Sequence, residues 1–396
     1  MRVLSVTAQK PCSTGSGVYL TEVVRSLAKM GVSQAVVAGV TREDRVDMPE
    51  GVTVYPVYFS SEKLPYPVVG MSDEMPYTST RYRDMTEEMA GQFKAAFLEV
   101  LDEAIEKENP DIILCHHLYY LTALIRAHYP AKKVYGFCHN TDLRQMESIL
   151  FERNFIRQEI PKLDRIFALQ EAQKEKIKKI YPVSEKQMTV IGTGYNSKVF
   201  KKTGIKSSRK DGKIRMIFAG KITQKKGVKS LLRALNLLDY EKEKIQLILA
   251  GGAGNLVEYE EIKELADGCR YPVVFAGCVT QSRLAELYND CDIFVLPSMY
   301  EGLPLTVIES LACGDRVVMT KLEGIAEWLA DMVPDADIRY VLPPGMKGTD
   351  EPLEEELPAF ESRLAEALRE AIEEKDTKEC DVSRISWQKI AREVIR

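Results

Sequence analysis

Short apolar runs alternate with longer amphipathic stretches twice along this chain, and that alternation most narrows the folds open to it. In the first half the runs are Val3–Val6, Ala35–Ala38, Val52–Tyr55, Asp111–Cys115, Val134–Cys138 and Arg165–Leu169. Apolar residues at 20, 23, 24 and 27 predict a helix over 18–30, and a second helix is predicted from about Thr86 to Lys107. Four or five consecutive apolar residues suit a strand covered on both faces, and strands interleaved with helices predict a parallel, doubly wound sheet. Residues 196–213 then break the pattern, with 7 Lys plus Arg against 1 Asp. They read as a basic linker. The pattern restarts with strands at Ile214–Ala219, Gln246–Ala250, Val273–Ala276, Ile293–Leu296 and Val317–Thr320, and a helix over 227–238. The expected organisation is an α/β domain over 1–195, a linker over 196–213, a second α/β domain over 214–385 and a C-terminal helix over 386–396.

A length of 396 residues suits two such domains. No apolar run approaches the ~18–20 residues of a membrane helix. The start, Met1-Arg-Val-Leu-Ser-Val-Thr, is too polar for a signal peptide and reads as a strand, which predicts a cytoplasmic protein. The eight cysteines include no C-x2-C pair and are expected to pack as small hydrophobes, Cys12 and Cys138 among them. A net charge of −5 argues against nucleic-acid binding. Lys174, Lys176, Lys178 and Lys179 share one segment, diluted by Glu171 and Glu175. At most it predicts weak, salt-sensitive attachment at the inner membrane face. Residues 60–90, with Tyr66, Met71, Met75, Tyr77, Tyr82 and Met85, read as a long flexible loop suited to an acceptor lid.

Chemistry concentrates where strands end. In Pro297-Ser-Met-Tyr-Glu-Gly-Leu-Pro-Leu-Thr-Val-Ile-Glu-Ser, an apolar strand gives way to a turn and then to a helix opened by Pro304. The helix is expected to bury Leu305, Ile308, Leu311 and Ala312, with Glu309 at the edge of that face. Glu301 and Glu309 thus bracket a helix N-terminus, which favours phosphate, while carboxylates accept from hydroxyls. Phosphate beside hydroxyl acceptors suits a nucleotide sugar. Gly220-Lys-Ile-Thr-Gln-Lys-Lys-Gly sets Lys221 and Lys226 between a strand and a helix, where cations can face a diphosphate. Gly251-Gly-Ala-Gly also follows a strand. Gly15 and Gly17 allow close backbone approach after the first strand. A dinucleotide site is disfavoured, because Leu20 stands where the fingerprint needs a small residue and the second strand ends without a carboxylate. His139 ends one strand, and His116 and His117 end another.

These elements, in this order, resemble the retaining glycosyltransferase family 4. The resemblance covers nearly the whole chain. It rests on the glycine loop, on His139 in Gly136-Phe-Cys-His-Asn, on Gly194, on Gly220-Lys221, and on Glu301 with Glu309. It implies the GT-B fold, with two Rossmann-like doubly wound parallel-sheet domains facing a cleft, and a final helix crossing back to the first domain. It implies transfer of a sugar, with retention, from a UDP- or GDP-type nucleotide sugar to a glycan, lipid or small-molecule acceptor. By resemblance His139, Glu301 and Lys226 serve the chemistry. Gly15, Gly17, Gly220, Lys221, Lys226, Gly251, Leu303, Pro304 and Glu309 hold the donor. Glu309 would take the ribose hydroxyls, and Glu301 and His139 the sugar.

The sequence departs from the family at three places. Lys221 stands where Arg is usual, no acidic residue lies in the Gly251 run, and Asp315-Arg316 replaces a small or apolar residue followed by Pro. No cofactor is expected, and metal-free chemistry is preferred because no Asp-x-Asp lies in a suitable setting. A nucleotide-sugar epimerase and a non-catalytic nucleotide-sugar-binding subunit are the rival readings.

Overall fold

The structure is a computed structural model that describes residues 1–11, 13–209, 211–374 and 380–396. Cys12 lies outside the described residues. The chain divides into two compact units, Met1–Gly194 with Trp387–Arg396, and Tyr195–Ser386.

The first unit runs β1 (Arg2–Thr7), α1 (Gly15–Lys29), β2 (Ser33–Val40), β3 (Thr53–Tyr58), β4 (Val69–Gly70), β5 (Thr80–Arg81), α2 (Glu87–Glu108), β6 (Ile112–His116), α3 (Tyr120–His128), β7 (Lys133–Phe137), α4 (Thr141–Ser148), α5 (Arg153–Glu159), β8 (Arg165–Ala168), α6 (Glu171–Ile180) and β9 (Met188–Val190). Seven strands form one parallel sheet in the order β3-β2-β1-β6-β7-β8-β9. Alternate residues of β2 explain why its run is wholly apolar. Ala35 and Val37 join the core that holds Phe93, Phe97 and Leu101 of α2. Val36, Ala38 and Val40 pack instead with Leu20 and Val24 of α1. The chain builds outward from β1 to β3 and returns to β6 on the other side of β1. The strand order therefore reverses between β1 and β6, where open α/β sheets bind ligands.

Residues 60–90, the last four of which open α2, are not the loose segment that composition suggested. Tyr66, Met71, Met75, Tyr82 and Met85 are all buried, and β4 pairs with β5. The Tyr82 ring meets Tyr119 at 4.8 Å, and Gln145 Nε2 donates to the Met71 carbonyl at 2.9 Å. The apolar side chains that made the segment look like a lid are its anchors.

The second unit runs α7 (Ile205–Ser208), β10 (Ile214–Ala219), α8 (Val228–Asn236), β11 (Ile245–Ala250), α9 (Leu256–Asp267), β12 (Val273–Gly277), α10 (Gln281–Asp290), β13 (Ile293–Leu296), α11 (Leu305–Ala312), β14 (Arg316–Thr320), α12 (Ile325–Met332), β15 (Ile338–Val341), a small antiparallel pair of β16 (Met346–Lys347) and β17 (Glu351–Pro352), and α13 (Leu357–Glu373). Its parallel sheet has the order β12-β11-β10-β13-β14-β15, which reverses between β10 and β13.

The basic stretch 196–213 is fastened to this unit. Thr203 donates through N and Oγ1 to Asn289 Oδ1, both at 2.8 Å. Arg209 reaches the Asp290 carbonyl at 2.6 Å and pairs with Asp292. Lys206 pairs with the buried Asp315, which gives the unusual Asp315-Arg316 a structural task. Arg316 in turn donates to the Ala371 carbonyl at the end of α13.

The last helix, α14 (Trp387–Val394), belongs to the first unit and packs on α1 through Trp387, Ile390, Ala391 and Val394. Gly194 makes room for it. A Cβ there would lie 2.4 Å from the Trp387 backbone nitrogen and 2.5 Å from its ring. Arg165 of β8 secures the far end, bonding the Glu393 carbonyl at 3.0 Å and pairing with its carboxylate. Among the described residues no helix is long and apolar enough to cross a membrane.

Candidate functional site

In the second unit the candidate residues gather at the reversal between β10 and β13. Glycine is required at two points. Gly251 has φ 150°, and a Cβ on it would sit 1.7 Å from the Gly220 carbonyl oxygen, so the loops after β10 and β11 touch through bare backbone. The contact is extended by Gly220 N–H to the Ala250 carbonyl at 2.9 Å and Ile222 N–H to the Gly252 carbonyl at 3.0 Å. The half-buried Lys221 is carried on this paired loop. Gly227 has φ 73° and opens α8, and a Cβ on it would lie 2.0 Å from the Pro297 carbonyl oxygen. The loops after β10 and β13 are thereby drawn together. Met299 N–H donates to the Lys225 carbonyl at 3.0 Å, and Lys226 Nζ stands 2.5 Å from Glu301 Oε1. Both side chains are mostly shielded, at 26% and 13% exposure. The neighbouring Lys225 is held away by Asp350 at 3.0 Å.

Pro304 precedes α11 and has no side chain able to cap it, so the first amides of the helix are left to other acceptors. Leu303 and Pro304 are buried. One expectation about α11 needs correction. Leu305 and Ala312 are only partly buried, and the covered residues are Val307 to Leu311, Glu309 among them at 6% exposure. The helix starts one residue later than expected and packs on β13, β14 and α10, so its buried arc is wider than one stripe. Glu309 is inside that arc, not at its edge.

In the first unit the glycine loop leads into α1, where Thr14 Oγ1 accepts from Gly17 N–H at 3.1 Å. A Cβ on Gly15 would meet nothing within 4 Å, so Gly15 borders open space, whereas Gly17 is buried. Beside this loop the histidines form a cluster. His116 Nδ1 and His139 Nε2 are 3.1 Å apart, and the His117 ring lies 4.9 Å from that of His139. His117 and Asn140 both have positive φ, 79° and 74°. Such backbone persists only where surroundings enforce it. Asp142, fully buried, does so here. It accepts from Leu118 N–H at 2.7 Å and His139 N–H at 3.2 Å, joining the turns after β6 and β7. Burial, with a smaller push from His117, brings the His116 imidazole down to about 3. His139 is held well below the usual imidazole range by burial, then by His117 and His116. The cluster is therefore neutral at physiological pH.

Sequence reasoning missed Tyr19, Asp142 and Trp387. The Tyr19 ring stands edge-on to His139 at 5.2 Å and to Trp387 at 4.9 Å, and its hydroxyl donates to the Gly192 carbonyl at 3.1 Å. Only its place two residues after Gly17 hinted at this. Cys138 is a packing residue, fully buried, with its thiol pushed far up by burial and then by Asp142. On α6, Lys174 pairs with Glu171 and Glu185, and Lys178 with Glu175 and Glu185. Carboxylates thus answer two of the four lysines that suggested a membrane surface. Among the described residues no three His, Cys, Asp or Glu side chains are grouped to hold a metal ion.

A model described as Glycosyltransferase Family 4 matches residues 13–199, and one described as Glycosyl transferases group 1 matches residues 200–348. An uncharacterized glycosyltransferase of Methanocaldococcus jannaschii is 29% identical over 172 residues, 41% of this chain and 44% of that protein. The chain spans about half the length of the curated relatives it matches. Among solved structures, sucrose-phosphate synthase from Thermosynechococcus elongatus aligns with TM-score 0.70 at 15% identity, covering 100% of this chain and 97% of that one. Anabaena HepE in complex with UDP-glucose aligns with TM-score 0.63 at 15% identity, covering 100% and 98%. At these identities the likeness shows the fold, which is GT-B.

Proposed function

Because the chain belongs to glycosyltransferase family 4, we propose that it moves a sugar from a nucleoside diphosphate to a hydroxyl acceptor, with retention of configuration and without a metal. The observation that carries this reading is the Lys226–Glu301 pair beside the uncapped start of α11. A nucleotide sugar presents two chemistries side by side, an anionic diphosphate and neutral hydroxyls. Lys226, Lys221 and the first amides of α11 suit the diphosphate. Glu301 suits sugar hydroxyls, and Glu309, buried one turn into α11, suits the ribose. Gly220, Gly251, Leu303 and Pro304 supply close backbone and the apolar floor. Gly15, Gly17 and His139, all in the first unit, keep the roles that the family resemblance implies.

In the transfer, the bond between the anomeric carbon and the diphosphate oxygen breaks and its electron pair stays on the diphosphate. The lysines and amides stabilise the charge that grows there. The acceptor hydroxyl bonds to the same face of the anomeric carbon, and its proton passes to the departing phosphate oxygen. No covalent intermediate with the protein is invoked. A UDP sugar is the first donor to try, since HepE was solved with UDP-glucose. The acceptor class is a glycan, a lipid or a small-molecule alcohol.

The test is thermal shift across UDP-, GDP- and ADP-sugars, followed by proton NMR of the product made with an acceptor panel. Transfer with an inverted anomeric centre rejects retention. An altered donor released without acceptor favours an epimerase, and binding without any turnover favours a binding subunit.

A further inference from the structure

We infer that His116 locks the tautomer of His139 to its own and leaves Nδ1 as the ring nitrogen that His139 offers to a ligand. The role of His139 at the sugar comes from the reading above, but the tautomer does not depend on it.

The two rings share one contact, His116 Nδ1 to His139 Nε2 at 3.1 Å. Both rings are neutral, so one proton occupies that contact, and the neutral imidazole that donates it must be bare at its other nitrogen. If His116 Nδ1–H donates, His139 carries its own proton on Nδ1. If His139 Nε2–H donates, His116 carries its own on Nε2. Both rings therefore adopt the same tautomer, and two of the four combinations are forbidden. His139 meets a ligand through Nδ1 in either case, because Nε2 is engaged.

The contact is built to hold. The His116 ring lies on the face of Phe137, at 4.8 Å and 15°, and runs nearly parallel to His139, at 5.3 Å and 11°, meeting it edge to edge through the Nδ1–Nε2 contact. Tyr19 closes the His139 edge at 5.2 Å and 75°. Asp142 fixes the His139 backbone while holding the turn that follows His116. His116 is 4% exposed, and its Nε2 is buried with no hydrogen-bond partner among the described residues. The Nδ1 contact with His139 is thus what His116 has to orient it, and this makes it a positioning residue, not a ligand-binding one.

Long-range proton–nitrogen NMR of the full chain labelled with 15N-histidine, at pH 7, tests the inference directly. His116 and His139 are expected in one shared tautomer, and opposite tautomers overturn the inference. His116→Phe, which keeps the stack and loses Nδ1, should leave His139 as a mixture of tautomers. His116→Asn, whose amide replaces Nδ1, should restore a single form. An unchanged His139 spectrum in His116→Phe also overturns the inference, and if that variant fails to fold, the wild-type spectrum decides alone. In transfer assays kcat should fall on the order of tenfold in His116→Phe with donor KM within about twofold, and recover in His116→Asn. A scrambled tautomer with wild-type kcat overturns the positioning role. Failure of the wild type to bind any donor strikes the functional reading and leaves the tautomer result standing.

Discussion

Gly227 and Pro297 lie so close that a Cβ on the glycine would fall 2.0 Å from the proline carbonyl oxygen. The approach is what sets Lys226 against Glu301. It needs both the missing side chain and the positive φ of 73°. Gly227→Ala should therefore cost about 1–3 kcal/mol from backbone conformation alone, with the collision added. A lower urea midpoint together with weaker donor binding is the expected result. A wild-type midpoint would mean that the two loops can separate freely.

Lys226→Ala should separate function from stability. Its ion pair with Glu301 is partly exposed, and pairs of this kind contribute about 1 kcal/mol or less. A cation facing the leaving diphosphate is worth more, on the order of 10²-fold in kcat. Calorimetry and steady-state kinetics on one preparation check both. A large fall in melting temperature with little change in kcat would reverse the assignment.

Glu309 calls for two substitutions, because the side chain is buried. Glu309→Gln keeps its volume and should weaken donor affinity by about 1.5–3 kcal/mol through loss of charge-assisted hydrogen bonds. Glu309→Ala should add a packing loss that Gln does not. Titration calorimetry with the preferred nucleotide sugar reads the first effect, and thermal melts read the second. Equal donor affinity in wild type and the Gln variant would remove Glu309 from the ribose.

Asp315 predicts an unusual pH response. Burial raises its carboxyl from 3.8 to about 7, against the opposing pull of Lys206. Between these values the folded chain keeps a proton that the unfolded chain has released. This contribution to stability is full below about pH 4 and is lost as pH rises towards 7. Asp315→Asn cannot titrate, so the stability of wild type relative to this variant should fall across that window and level off above it. Melts from pH 4 to 8 check this, and parallel curves would refute it.

The sheets were legible because parallel strands covered on both faces must be apolar throughout. β10 and β13 match the expected runs residue for residue. β9 and β15 were not found, since they are short edge strands carrying Thr189 and Arg339. In the candidate site, the positions of Gly220 and Lys226 in one loop and of Glu301 in another were legible from type and spacing within each loop. Tyr19, Asp142 and Trp387 were not, because what they touch is set by distant segments. Asp142 looks like an ordinary first-turn acid until β6 and β7 are adjacent. Tyr19 looks like a helix core residue until Trp387 arrives against it.

That late arrival bears on how the chain is made. The first unit opens with β1, but α14, which covers α1 beside Tyr19, comes only after all of residues 195–386. At ribosomal speeds of about 5–20 residues per second, the face of α1 waits roughly twenty to seventy seconds for its partner. The second unit, continuous in sequence, is synthesised whole within that interval. The unit that begins first on the ribosome is therefore the one completed last, and until then the surface beside Tyr19 is open to whatever else is near.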